Sequence, residues 1–253
     1  MACSTPVSID LHIHSTASDG TLSPSQILDL ARKLNLGAIA ITDHDTIRGA
    51  KDAMAQGPPP DVQLLTGVEI SASSPPSFPR IRSLHILGYA FCLDDANLNR
   101  MLAELQYARN RRIPRIIEKL NLLGIALTVD DVRGEIGPGG VAGRPHVARA
   151  LVRKGFVRSI DDAFDRLLGY GKPAYVNKYR VPCQLAIQTI SEAGGLPVLA
   201  HPGLLPLGGR DMERCLVELI GLGLRGVEVY YPEHSGETTR KLAHLAARHG
   251  LLM

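Results

Sequence analysis

At 253 residues, 45% hydrophobic and only 4% aromatic, the chain is long enough for one substantial core, and its composition excludes a disordered or disulfide-framed protein. It has neither a run of about 18 apolar residues nor a charged leader ahead of an apolar stretch, which argues against membrane insertion and secretion and for a cytoplasmic protein. The net charge of +3 is unevenly divided: between Arg100 and Arg180, sixteen Lys and Arg face eight Asp and Glu, leaving the rest net acidic, a division suited to an anionic ligand in one part and cations in the other.

The first apolar run, Val7 to Ile13, carries His12 and ends at His14. Alternation along a strand puts both rings on one side, a spacing that lets two imidazoles bind one cation or two adjacent ones, with Asp19 within reach in the loop. Ser23 followed by Pro24 marks a helix start, leading into Gln26 to Leu34 and stopping before Gly37. The next run, Ala38 to Thr42, opens onto Asp43-His44-Asp45, where either carboxylate is a candidate to receive the second ring nitrogen of His44. Val62 to Ile70 holds Glu69, a carboxylate that could bridge two metals, and Leu84 to Ala90 holds His85.

From residue 94 to 180 the alternation of short apolar runs and helices stops. Helical patterns cover Leu98 to Leu123, His146 to Lys154 and Ser159 to Leu168, with loops at Gly134 to Gly143 and Gly169 to Pro173. This stretch is expected to be an inserted basic helical subdomain, with 1–93 and 181–253 forming the main domain. Strands resume at Leu196 to Ala200, followed by His201, and at Gly226 to Tyr230, followed by His234. Leu251 to Met253 resemble the opening of a seventh strand that stops short. Cys3, Cys92, Cys183 and Cys215 are far apart, with no C-x-x-C pair, and are expected to be free thiols.

Strands alternating with helices predict a parallel sheet or barrel, in which residues at the strand ends face one mouth. Six of the nine histidines lie in or just after a strand, and so are expected to converge on a metal site.

The segments Asp10 to Gly20, Thr42 to Thr46, Gly67 to Glu69, His85 to Gly88 and Ala200 to Gly203 together resemble the polymerase and histidinol phosphatase (PHP) family of phosphoesterases. That resemblance implies a distorted (β/α)7 TIM-like barrel holding two or three divalent ions, usually manganese, iron or zinc. The ligands it implies are His12, His14, Asp19, His44, Glu69, His85 and His201, with Glu69 bridging and with Asp19, His44, Glu69 and His201 taking part directly in the chemistry. The family's Asp-x-His on the seventh strand has no counterpart before Met253.

The insertion, with Gly143-Arg144-Pro145-His146, is similar to the branch containing 3′,5′-nucleoside bisphosphate phosphatases and 5′-to-3′ exoribonucleases. Arg144 and His146, then Lys172, Lys178 and His234, are the candidate substrate contacts, since Arg offers phosphate a bidentate fork. The expected partner is a small phosphorylated nucleotide or short RNA, with no duplex DNA specificity, no membrane and no obligate protein partner. Two other readings are a phosphatase for another small phosphomonoester, such as histidinol phosphate, and a metal-binding module impaired in catalysis by the missing seventh-strand ligands.

Overall fold

The computed structural model describes residues 8–135 and 143–253. Cys3, Val7 and most of the expected Gly134 to Gly143 loop lie outside the described residues. In chain order the elements are β1 (Ile9–Ile13), α1 (Pro24–Lys33), β2 (Ala38–Ile41), α2 (Arg48–Gln56), β3 (Gln63–Ser73), β4 (Leu84–Tyr89), α3 (Ala96–Leu122), α4 (Val129–Arg133), α5 (Arg144–Arg153) and α6 (Ile160–Ala163). There follow β5 (Val181–Pro182), α7 (Cys183–Glu192), β6 (Leu196–Leu199), α8 (Gly209–Gly221), β7 (Gly226–Val227) and α9 (Gly236–His249). Two compact units result: one joins the described residues up to Ala103 to Arg180–Met253, and the other is Glu104–Tyr179.

The first unit is built on one sheet of order β1-β2-β3-β4-β6-β7, with the two-residue β5 pairing with β3. Ile39, Ala40 and Ile41 are wholly buried, which is why β2 reads as an unbroken apolar run. Ile39 and Ile41 share a core with Ile27, Leu28 and Ala31 of α1 and Ala53 of α2. Helix α1 starts where expected: Ser23 Oγ accepts the Gln26 N–H while the Gln26 side chain receives the Ser23 N–H, with Pro24 in the first turn.

The sheet departs from the expected all-parallel pattern at β4, which runs antiparallel to both β3 and β6. The cause is the link 74–83, which contains Pro75, Pro76 and Pro79 and no helix. A parallel return needs a crossover of about a dozen residues or more, usually helical, so this chain turns straight back. β5 is a strand too short for an apolar pattern to reveal. Leu252 forms a bridge with Gly226, so the expected seventh-strand opening does begin a further strand position.

The second unit is helical. Its core is formed by Ile116 and Leu120 of α3, Leu127, Val147 and Leu151 of α5, and Leu168. Helix α6 is capped by Ser159, whose Oγ accepts the Asp162 N–H at 3.1 Å, and passes into a single π-turn at Phe164–Leu168. Among the described residues no helix is long and apolar enough to cross a membrane. Cys92, Cys183 and Cys215 are free thiols.

Candidate metal centre

Five histidine rings from four stretches of the first unit surround one buried carboxylate, that of Glu69, whose side chain is 1% exposed. Glu69 Oε1 lies 2.8 Å from His85 Nδ1 and 2.9 Å from His201 Nε2. Its Oε2 lies 3.0 Å from His14 Nε2, 3.0 Å from His44 Nδ1 and 3.4 Å from His12 Nε2. Asp19, with half its side chain exposed, stands at the rim, 2.6 Å from His14 Nδ1 and 3.6 Å from His44 Nε2. These seven residues and Tyr231 line a cleft of about 380 Å³.

Strand direction explains how they meet. β1, β2 and β3 are mutually parallel and bring His12, His14, His44 and Glu69 to one end. His44 bridges to Glu69, and the Asp45 N–H donates to the Glu69 carbonyl at 2.9 Å. His85 is the second residue of β4, and it reaches the same end because β4 runs the opposite way. His201 follows β6 in a strained backbone, φ 28° and ψ 53°, immediately before Pro202. Such a conformation in a non-glycine residue costs about 1–3 kcal/mol and persists only where neighbours enforce it.

The carboxylates flanking His44 secure its surroundings. Asp43 Oδ1 accepts from Ser15 N–H at 2.7 Å and Ser18 Oγ at 2.6 Å, and its Oδ2 accepts from Ser15 Oγ at 2.6 Å. Asp43, one of the two candidates for the ring partner of His44, therefore anchors the loop that carries Asp19. Asp45 holds β3 through Ser71, accepting its N–H at 2.7 Å and its hydroxyl at 2.9 Å.

A carboxylate in the partner role does occur, at Glu228 just after β7: its Oε1 lies 2.8 Å from His12 Nδ1. Sequence reasoning missed Glu228, although Gly226-Val227-Glu228 repeats Gly67-Val68-Glu69. Tyr231 was missed as well; its ring lies 5.5 Å from that of His201.

His234 packs against Tyr231 with both ring nitrogens engaged, Nδ1 3.0 Å from Val229 O and Nε2 accepting the Gly203 N–H at 3.1 Å. The other candidate substrate residues belong to the helical unit. Arg144 opens α5, donating to Leu168 O at 3.2 Å with its guanidinium over the rings of Phe164 and Tyr175. His146 Nδ1 accepts the Gly143 N–H at 3.0 Å, and burial together with Arg149 lowers its pKa. Lys172 is exposed and Lys178 half-buried.

Electrostatics concentrate on the same cluster. Burial alone would raise the pKa of Glu69, but the surrounding imidazoles override it and hold the carboxylate far below its ordinary range. Burial would lower the histidines, yet the adjacent carboxylates of Glu228 and Glu69 raise His12 to about 9, and those of Asp19 and Glu69 raise His14 to about 10. Between pH 6.5 and 9–10 the folded chain therefore binds protons that the unfolded chain has released. That contribution to stability is complete below 6.5 and is lost as pH rises through the window. Chelated protein is expected to melt progressively lower between pH 6.5 and 10, and added Mn²⁺ should reverse the trend, because metal binds the deprotonated rings. A chelated protein whose midpoint stays flat over that range would contradict the assignment.

The donor set fits divalent cations. Glu69 Oε2 is buried without a properly oriented hydrogen bond, although three ring nitrogens stand within 3.0–3.4 Å of it. A cation between rings and carboxylate would satisfy that oxygen. Among the described residues, three groups have donor atoms within 4.8 Å of one another: His12, His14 and Glu69; His14, Asp19 and His44; and His44, Glu69 and His85.

Comparison with known proteins agrees with this chemistry. The PHP domain profile matches residues 10–168. A 5′-3′ exoribonuclease of Haemophilus influenzae is 35% identical over 220 residues, 87% of this chain and 78% of that protein. A 3′,5′-nucleoside bisphosphate phosphatase of Chromobacterium violaceum is 33% identical over 243 residues, 96% of this chain and 84% of that protein. Among solved structures, a Bifidobacterium adolescentis protein described, by inference, as a metal-dependent phosphoesterase aligns with a TM-score of 0.76 and 32% identity, covering 98% of this chain and 86% of its own.

Proposed function

The chain belongs to the PHP domain family, and from that premise we propose that it is a metal-dependent phosphoesterase that releases phosphate from a 3′,5′-nucleoside bisphosphate, leaving the nucleoside 5′-monophosphate. The observation that carries this reading is the division of imidazoles between the two oxygens of Glu69: His85 and His201 face Oε1, while His12, His14 and His44 face Oε2. A carboxylate so placed suits a bridge between neighbouring cations. His12, His14, Asp19, His44, Glu69, His85 and His201 would hold two or three ions, manganese by preference with iron or zinc as alternatives; when bound, such ions lower the pKa of water and neutralise phosphoryl oxygens.

The chain's own residues supply the rest. Glu69 and its rings form the buried floor, whereas half-exposed Asp19 and Tyr231 face the space a substrate would enter. Asp19 is held ionised well below the usual carboxylate range: burial opposes this, but His14 and His44 outweigh it. It is thus placed to orient an attacking water or a ligand proton at the rim. The excess of Lys and Arg between Arg100 and Arg180 supports recognition of an anionic substrate. The same charge, with the exoribonuclease relative, favours short RNA taken from its 5′ end as a second substrate.

The test is phosphate release with Mn²⁺ across adenosine 3′,5′-bisphosphate, a short 5′-phosphorylated RNA and histidinol phosphate. Preference for the bisphosphate is expected; comparable turnover of histidinol phosphate would overturn the specificity. Replacing Lys172 and Lys178 together by Ala is expected to raise KM for the bisphosphate about tenfold with kcat nearly unchanged. Lys172 is a cleaner probe than Arg144, whose loss would also remove packing against Phe164 and Tyr175.

A further inference from the structure

β1 and β7 are the two ends of the sheet order, yet one side chain spans them. Glu228 follows β7, its N–H pinned to Leu199 O at 2.9 Å. From there its Oε1 reaches His12 Nδ1 at 2.8 Å, and its Oε2 accepts the backbone N–H of His201 at 2.5 Å. We propose that Glu228 is a positioning residue of the metal centre, fixing the ring of His12 and the strained backbone of His201 so that both present their Nε2 atoms to the Glu69 side.

The chemistry requires such a group at both places. An imidazole that ligates through Nε2 is oriented, and made more basic, when Nδ1–H donates to a carboxylate. His12 points Nε2 at Glu69 Oε2 and Nδ1 at Glu228, so the tautomer with hydrogen on Nδ1 is selected. His201 carries a positive φ ahead of Pro202, a conformation that a neighbouring acceptor must hold, and its N–H points at the second oxygen of the same carboxylate. A carboxylate can accept at both oxygens. A glutamine cannot, since one of its two terminal groups is a donor.

This inference rests on the metal-centre reading, and the experiment separates the two. Mn²⁺ binding to the protein is measured by calorimetry for wild type, Glu228→Gln and Glu228→Asp, with thermal unfolding alongside. Glu228→Gln is expected to bind Mn²⁺ about 10- to 100-fold more weakly. In a His12→Ala background, the same change should cost less than about threefold, because much of its effect passes through that ring. If wild type binds no Mn²⁺, the metal centre itself fails. If wild type binds and Glu228→Gln binds as tightly, or loses only thermal stability, the positioning role is wrong. An equal loss with and without His12 would also overturn it. Should Glu228→Gln fail to fold, Glu228→Asp decides: it keeps the charge but is one methylene too short to reach both partners, and undiminished affinity there overturns the proposal.

Discussion

Replacing Glu69 by Gln is expected to lower phosphate release by at least about a thousandfold and to remove tightly bound Mn²⁺. The substitution preserves size, so the packing of β3 should survive. What changes is the charge at the point where five rings converge, and with it the ability of both oxygens to face cations. A second consequence distinguishes this from general damage. Without the carboxylate, His12 and His14 lose one of the partners that raise their pKa, so the fall in stability of the chelated protein between pH 6.5 and 9–10 should shrink. Phosphate release, Mn²⁺ titration and melting against pH together check the prediction. A Glu69→Gln enzyme retaining a tenth of the wild-type rate would show that the carboxylate is not central.

The second large effect falls on a residue that touches no substrate. Asp43→Ala is expected to destabilise the protein by about 3 kcal/mol, because it leaves the Ser15 N–H and hydroxyl without their buried acceptor and leaves the Ser18 hydroxyl only the longer bond to Asp19. For a chain of this size that corresponds to roughly 10 °C in melting temperature. The loop it secures begins beside His14 and leads to Asp19, so Mn²⁺ affinity should fall with it. Gly49 belongs to the same arrangement. A Cβ there would lie 2.0 Å from Asp43 Oδ2 and 2.5 Å from Ser15 Oγ, which explains a glycine inside α2. Gly49→Ala should therefore destabilise the protein despite the better helix propensity of alanine. Melting curves for both variants, each with saturating and with no Mn²⁺, measure the effect; an Asp43→Ala protein within 1 kcal/mol of wild type would contradict it.

Much of this was legible in the residues, for identifiable reasons. The apolar runs at β2, β3, β4, β6 and β7 stand out because their buried stretches need little alternation, and the Ser23-Pro24 start of α1 has its own chemistry. The five clustered histidines were conspicuous because each sits in or beside a strand. Strand direction was not legible, since an apolar run looks the same in either sense. Only the ten-residue, proline-rich link 74–83 carries the hint that β4 turns back.

The partner of each ring was hidden for a different reason. Asp43 and Asp45 adjoin His44 in sequence, but past the end of β2 adjacency does not fix side-chain direction, and Asp43 meets Ser15 and Ser18 instead. Glu228 is 216 positions from His12, a distance that no local pattern bridges except the repeated Gly-Val-Glu.

The most direct test of the account is an anomalous-difference map from crystals of the protein grown with Mn²⁺. Two peaks are expected on either side of the Glu69 carboxylate, about 3.5–4 Å apart, with His14 and His44 on the Oε2 side and His85 and His201 on the Oε1 side. A map with no peak within bonding distance of Glu69, from protein that still releases phosphate from adenosine 3′,5′-bisphosphate, would contradict the central claim.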